Sequence, residues 1–479
     1  MDVQRHPADD TTALRDGTRM REHRIRVPLD WAQAEDPEAE RLEIFAREFI
    51  RPESTSSEST SPESIGRETD TPCLLFLQGG PGGRGVRAPR LPGWMTEALR
   101  RFRVIMLDQR GTGLSTPLTA RTVTSRGNVQ EQVAYLRRFR ADSIVRDAEA
   151  LRQALGVESW SVLGQSYGGF CLLTYLSLAP QSVDRALFTG GLAPLTGHAD
   201  RVYRATYRRM AARNADHFAR FPADRERLDA VVAHLRRRSE AGAPERLPDG
   251  STLTVPRLQM LGMTLGGNTR ADGLHFLLED AFCEGPEALS ETFLAAVHEQ
   301  LSFRANPMYA VMHESIYGQP AELTEGRGDT GWAAWRVRDE FPEFSPEADS
   351  PLLTGEMILP EHIAEDPAIA PLYEAAEALA AVDDWEPLYD AERLSRNRVP
   401  AAAAVYTHDV YVDRVLSRET ACAVAGLRVW ETDEFHHDGL SDDGGRILRE
   451  LLRLTELDRL DGLDELAGLD ELDEAESTE

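Results

Sequence analysis

The chain has 479 residues, of which 41% are hydrophobic and 7% aromatic, so it is too long for one compact core and implies two domains or one domain with a large insertion. A formal net charge of −28 argues against nucleic acid and anionic membrane as partners. All 53 lysine-plus-arginine positions are arginine, which excludes a lysine Schiff base and a Walker-type phosphate lysine.

No run of about 18 uninterrupted apolar residues occurs, so no transmembrane helix is expected. The segment MDVQRHPADDTTALRDG is polar and acidic and lacks the apolar core of a secretory signal. Cys73, Cys171, Cys283 and Cys422 are scattered without a CxxC and read as free thiols of a cytoplasmic protein.

In chain order, LEIFAREFI (42–50) and CLLFLQ (73–78) read as strands. They flank PESTSSESTSPESIGRETDT (52–71), a low-complexity stretch expected to form a flexible loop. VIMLDQRG (104–111) is a short buried-strand pattern stopped by a turn. DSIVRDAEALRQALG (142–156) predicts a helix, with Asp142 as its cap, Ile144, Ala148, Leu151 and Leu155 on one side, and Gly156 as its end. WSVLG (160–164), GFCLLTYLSLA (169–179) and RALFTGG (185–191) continue as strand, helix, strand. This alternation predicts an α/β fold with a mostly parallel sheet and helices on both faces.

From about 197 to 397 the chain is Arg- and Glu-rich and helical in period. Strand patterns return at VPAAAAVYTHD (399–409) and LRVWETDEF (427–435). The expected organisation is therefore a core over 1–196 and 398–455, interrupted by a helical cap over 197–397. Residues 456–479 hold eleven acidic residues and one Arg; repulsion among them and two glycines predict a disordered tail, with a partner-docking helix as the second reading.

The chemistry centres on Gly164-Gln165-Ser166-Tyr167-Gly168, a G-x-S-x-G pattern with a strand before it and a helix after it. A sharp strand-to-helix turn projects the serine, and its tight backbone leaves room only for glycine two residues to either side. An unassisted hydroxyl is a poor nucleophile, so Ser166 requires a base and an orienting acid. In this fold they follow in the order Ser, Asp or Glu, His. Asp409 ends one late strand, and His436 and His437 follow the next. LQGGPGGRG (77–85) is a glycine-rich loop able to aim a backbone N–H at an oxyanion, with the Tyr167 N–H as a second donor. The absence of HExxH and the dispersal of the histidines predict no metal, and nothing calls for another cofactor.

QGGPG (78–82), DQRGTGLST (108–116), GQSYGGF (164–170) and TGGLAP (189–194) together resemble the prolyl aminopeptidases, or proline iminopeptidases, which are serine peptidases of the α/β-hydrolase fold. The resemblance continues through HESIYGQ (313–319), WAAWRVRDEFPEF (332–344), LLTGEMI (352–358), VYTHDVYVD (405–413) and HDGL (437–440), spanning roughly 25 to 450. It implies Ser166 as nucleophile, Asp409 as acid and His437, which precedes Asp-Gly-Leu, as base. It implies Gly80 and Tyr167 as oxyanion donors. Such enzymes release an N-terminal proline from short peptides and hold its charged imino group with cap carboxylates. Glu314 matches that motif best, with Glu356 as the weaker candidate. Gln78 stands where many relatives begin the oxyanion loop with His.

Two rivals follow from the same residues. An esterase or lactonase would use the same triad under an apolar cap, and the acidic cap here tilts against it. A catalytically dead scaffold would be expected to lack a triad member, and all three residue types are present.

Overall fold

The computed structural model describes residues 3–4, 12–51, 71–87 and 90–476, with side chains as far as Leu457. Apart from Thr71, the expected loop at 52–71 lies outside the described residues. Ten strands form one sheet: β1 (Val3–Gln4), β2 (Thr12–Ala13), β3 (Arg19–Pro28), β4 (Arg41–Ile50), β5 (Cys73–Leu77), β6 (Arg103–Asp108), β7 (Trp160–Gln165), β8 (Val183–Thr189), β9 (Ala401–Tyr406) and β10 (Leu427–Thr432). Their order is β1-β3-β4-β6-β5-β7-β8-β9-β10, with β2 paired to β3. From β6 to β10 every neighbouring pair is parallel, while β3–β4 and β4–β6 are antiparallel.

The central strands read as unbroken apolar runs because both their faces are covered. CLLFL of β5 and AAAAVY of β9 are buried at every position. On one face lie the helices Ala141–Leu155 and Tyr167–Leu178, which contribute Ile144, Leu151, Phe170 and Leu173 to the larger core. On the other face Trp94 and Met95 from the helix Gly93–Ala98 pack with Ile447, Leu448 and Leu451 of the C-terminal helix against Phe76, Val104 and Ala402. Between β8 and β9 the chain runs through helices, from Ala199–Arg220 to Ala391–Leu394. A long helical excursion thus leaves the sheet at the C-terminal end of β8 and returns to β9.

One local expectation changes. The helix Ala141–Leu155 starts one residue before Asp142, with Arg140 at the cap position and no side-chain cap bond. Asp142 sits inside the first turn and pairs with Arg146 at 2.6 Å, because the competing cation four residues on lies on the same helix face. Gly156 ends the helix at φ 68°, as its freedom from a Cβ allows. Strand β3 carried no recognised signal: in RMREHRIRVP the charged run Arg21-Glu22-His23-Arg24 breaks any alternation, and most of its positions are only half-buried. The backbone of Gly439–Glu476 is helical, with a kink at Asp443.

Arg110, in the turn after β6, is a buried cross-brace. Its Nε and Nη2 reach the two Asp147 oxygens at 2.7 and 2.5 Å, and its Nη1 donates to the carbonyls of Leu29 and Arg138 at 2.9 and 2.7 Å. Trp31 Nε1 adds a bond to Asp147 Oδ1 at 3.0 Å. Both charged groups are essentially inaccessible, so neither can fall back on water. Asp147→Asn is expected to lower unfolding free energy by about 3–5 kcal/mol, since it strands a buried guanidinium. Denaturant titration measures this, and a loss below about 0.5 kcal/mol would show that the brace is dispensable.

Candidate active site

β7 delivers Ser166 into the turn before the helix Tyr167–Leu178, at φ 53° and ψ −126°. A left-handed φ on a non-glycine residue costs roughly 1–3 kcal/mol and persists only where the surroundings over-determine it. Here they do. The Ser166 amide donates to the Thr189 carbonyl at 3.1 Å, and its carbonyl accepts from Gly169 at 2.7 Å. The flanking glycines are needed for close approach. A Cβ on Gly164 would come within 2.5 Å of the Gly168 carbonyl oxygen, and one on Gly168 would overlap the Leu77 carbonyl oxygen. Ser166 itself remains partly accessible, as does Gln165 before it, while Gly164 and Tyr167 are buried.

The later strands bring the other two residues to the same sheet end. Asp409 follows β9 and is 1% exposed. Its Oδ1 accepts the amides of Tyr411 and Val412 at 2.8 and 2.9 Å, and its Oδ2 lies 2.9 Å from His437 Nδ1. His437 follows β10 and packs against the edge of the Tyr411 ring at 4.8 Å. His436 turns away to the His408 carbonyl, at 3.4 Å. The tandem Gly190-Gly191 after β8 links this pair to the elbow. A Cβ on Gly190 would lie 3.3 Å from both Asp409 Oδ2 and His437 Nδ1, and one on Gly191 would lie 2.6 Å from the Ser166 carbonyl oxygen. Burial disfavours a charged His437 ring, but the Asp409 carboxylate at Nδ1 and the more distant Glu356 together raise its pKa above the ordinary imidazole value.

The loop Gln78–Gly83 passes over Ser166, so that a Cβ on Gly79 would be 2.9 Å from Ser166 Cβ and 3.5 Å from its Oγ. Gly80 has φ 133°, a backbone conformation that requires glycine. Tyr167 is the first residue of its helix, so no helical carbonyl is available to its amide.

The two cap carboxylates differ in kind. Glu314 is buried, and its two oxygens accept the amides of Ala333 and Ala334 at 2.9 Å each, at the start of the helix Ala333–Arg338. Burial pushes its pKa up to about 7 against the pull of those amides and of Thr330 and Arg336. Glu356 is only half-buried, and among the described residues its side chain is held by the Tyr309 hydroxyl at 2.6 Å and by no ion pair. Its charge bears on His437, Tyr411, Tyr317 and Tyr203, which places it near the Asp409–His437 pair. Sequence reasoning ranked Glu314 first; in three dimensions Glu356 is the more available carboxylate. Tyr309 and Tyr411 carried no sequence signal of their own, because aromatic residues at such positions read equally well as core.

A nucleophile-elbow turn with an Asp–His pair on later loops of a parallel sheet defines the class, the α/β hydrolases. A family model described as alpha/beta hydrolase fold matches residues 72–253. The chain is 44% identical over 441 residues to a proline iminopeptidase of Aeromonas sobria, covering 92% of this chain and 97% of that protein. It is 32% identical over 400 residues to a proline iminopeptidase of Aspergillus aculeatus, covering 81% and 86% of the two chains. The crystal structure of a proline iminopeptidase from Mycobacterium smegmatis aligns over 92% of this chain at 14% identity and a TM-score of 0.40. The chain belongs to the proline iminopeptidase family, and with it to the hydrolytic peptidases of this fold.

The electrostatics make one prediction that needs no substrate. Followed by NMR, the His437 ring is expected to titrate above about 6.5, and Asp409→Asn is expected to bring it down. An unchanged titration in Asp409→Asn would contradict the coupling.

Proposed function

We propose that the protein is a serine aminopeptidase that releases an N-terminal residue, preferentially proline, from short peptides through an acyl-enzyme. Ser166 Oγ attacks the carbonyl carbon of that residue. His437 Nε2 takes the hydroxyl proton and returns it to the leaving amine, and Asp409 holds the Nδ1–H tautomer and stabilises the imidazolium. The amides of Gly80 and Tyr167 receive the developing oxyanion, one from the glycine loop and one from the helix start. Water then attacks the ester with His437 again as base, regenerating Ser166.

The observation that carries the peptidase reading over an esterase or lactonase is Glu356. It is a half-buried carboxylate without an ion pair among the described residues, and its charge reaches His437. An ester site has no use for such a group, whereas a protonated imino nitrogen supplies the missing cation. Glu314 adds a second negative charge beside Tyr203 and Tyr317, both of which also feel Glu356. With a pKa pushed up to about 7, Glu314 is neutral in part at neutral pH and becomes more anionic as pH rises.

Nucleic acid and anionic membrane are not expected partners of a chain carrying −28. No helix among the described residues is long and apolar enough to cross a membrane. The four cysteines are free thiols, two of them buried, which supports a reducing compartment such as the cytoplasm.

The deciding assay compares prolyl-p-nitroanilide, alanyl-p-nitroanilide and p-nitrophenyl butyrate with wild type and Ser166→Ala. The expected result is turnover that favours the prolyl anilide and falls by at least about 10³-fold in the mutant. Ester turnover without anilide turnover would replace the peptidase by an esterase. Glu356→Gln is expected to raise KM for the prolyl anilide by about tenfold or more, with a smaller change for the ester. KM for a substrate that stays cationic is expected to fall as pH rises through about 7, and Glu314→Gln to flatten that dependence. A Glu314→Gln profile parallel to wild type would remove Glu314 from amine recognition.

A further inference from the structure

Four of the six residues Gln78–Gly83, the loop that carries the Gly80 amide, are glycine. Gln109 Nε2 holds its start by donating to the Gln78 carbonyl at 3.0 Å, and the loop closes on itself where the Gly83 amide donates to the Gly79 carbonyl at 3.1 Å. Between those anchors stands the apex Gly80-Pro81-Gly82, where both glycines have positive φ, 133° and 83°. The apex is met from the cap by Asn306, whose Nδ2 donates to the Pro81 carbonyl at 3.2 Å. The same side chain turns its Oδ1 to the Tyr309 amide, also at 3.2 Å, and so caps the short helix Pro307–Met312. The fit leaves no slack: a Cβ on Gly82 would overlap Asn306 Oδ1 and lie 3.0 Å from Met308 Cβ. Three residues on, Tyr309 holds Glu356. One short stretch of the cap therefore touches the loop over Ser166 at one end and the available carboxylate at the other.

We propose that Asn306 is a positioning residue for oxyanion stabilisation. Its bond to Pro81 sets the apex of the glycine loop and thereby the direction of the Gly80 amide. The inference rests on Ser166 as nucleophile and Gly80 as oxyanion donor. Asn306 does not touch the reacting atoms; it makes the hole the cap's responsibility as well as the core's. An oxyanion donor counts only when it is aimed at the anion before the reaction begins, so an apex free to rock loses rate and not ground-state affinity.

The test separates this role from helix capping. Asn306→Asp keeps an oxygen for the Tyr309 amide but replaces the donor with an acceptor facing the Pro81 carbonyl. Expected are a Tm close to wild type and a kcat for prolyl-p-nitroanilide lowered about 10–100-fold, with KM changed by less than about threefold. Affinity for prolyl boronic acid, which forms a tetrahedral anion on Ser166, is expected to drop by a similar factor, and affinity for free proline to stay as it was. A kcat within about twofold of wild type, or equal losses for boronate and proline, would overturn the proposal and leave Asn306 as a helix cap alone. Should Asn306→Asp fail to fold, Asn306→Ser, which can cap but is too short to reach Pro81, takes its place in the same measurements. The ester arm keeps the two readings apart. If wild type cleaves only p-nitrophenyl butyrate, the peptidase assignment falls, and the Asn306 variants are still expected to lose ester kcat by the same factor.

Discussion

The whole site depends on one steric constraint, the close approach of three backbone segments around Ser166. The end of β5, the elbow between β7 and its helix, and the Gly190-Gly191 pair after β8 pass within van der Waals contact of one another. At Gly164, Gly168, Gly169 and Gly191 a single Cβ would meet main-chain atoms at 3 Å or less. Main-chain atoms cannot move aside as the tip of a flexible side chain can, so this packing has one solution. It holds Ser166 in a left-handed conformation that nothing local would stabilise. The strain lies at the candidate nucleophile, and the hydrogen bonds of its N–H and C=O keep it there.

Around that constraint the polar groups are arranged by burial. Asp409 is nearly inaccessible yet held by two amides and an imidazole, which fixes the oxygen that meets His437. Glu314 is also buried but among the described residues has no cation in hydrogen-bond contact, and burial then prevails over two helix-end amides. Glu356 keeps access to solvent and stays available to a cation. Three carboxylates thus take three roles, and the difference lies in what surrounds each one, not in the residue type.

Much of the fold was legible because its signals are local. Buried strands read as apolar runs, Gly156 ended its helix, and the spacing of glycines about Ser166 indicated an elbow. What escaped had no local signature. Strand β3 is rich in arginine because it lies toward the sheet margin, where most of its residues are only partly covered. Asp142 looked like a cap until Arg146, on the same helix face, competed for it. Asn306 and Tyr309 sit in an unremarkable helical stretch, and their partners Pro81 and Glu356 are far off in sequence.

The amino-acid sequence by itself determined the alternation of strands and helices, the placement of Ser166 at a strand-to-helix turn, and the chain order of Ser166, Asp409 and His437. These follow from periodicity and from the conformational freedom of glycine, which act over a few neighbouring residues. The tertiary structure decided which of two adjacent histidines meets Asp409, which of two cap glutamates stays open, and which cap side chain braces the glycine loop. Those outcomes depend on burial and on contacts between residues 28 to 225 positions apart, and hydrogen-bond geometry and desolvation acquire their values only once the chain has closed.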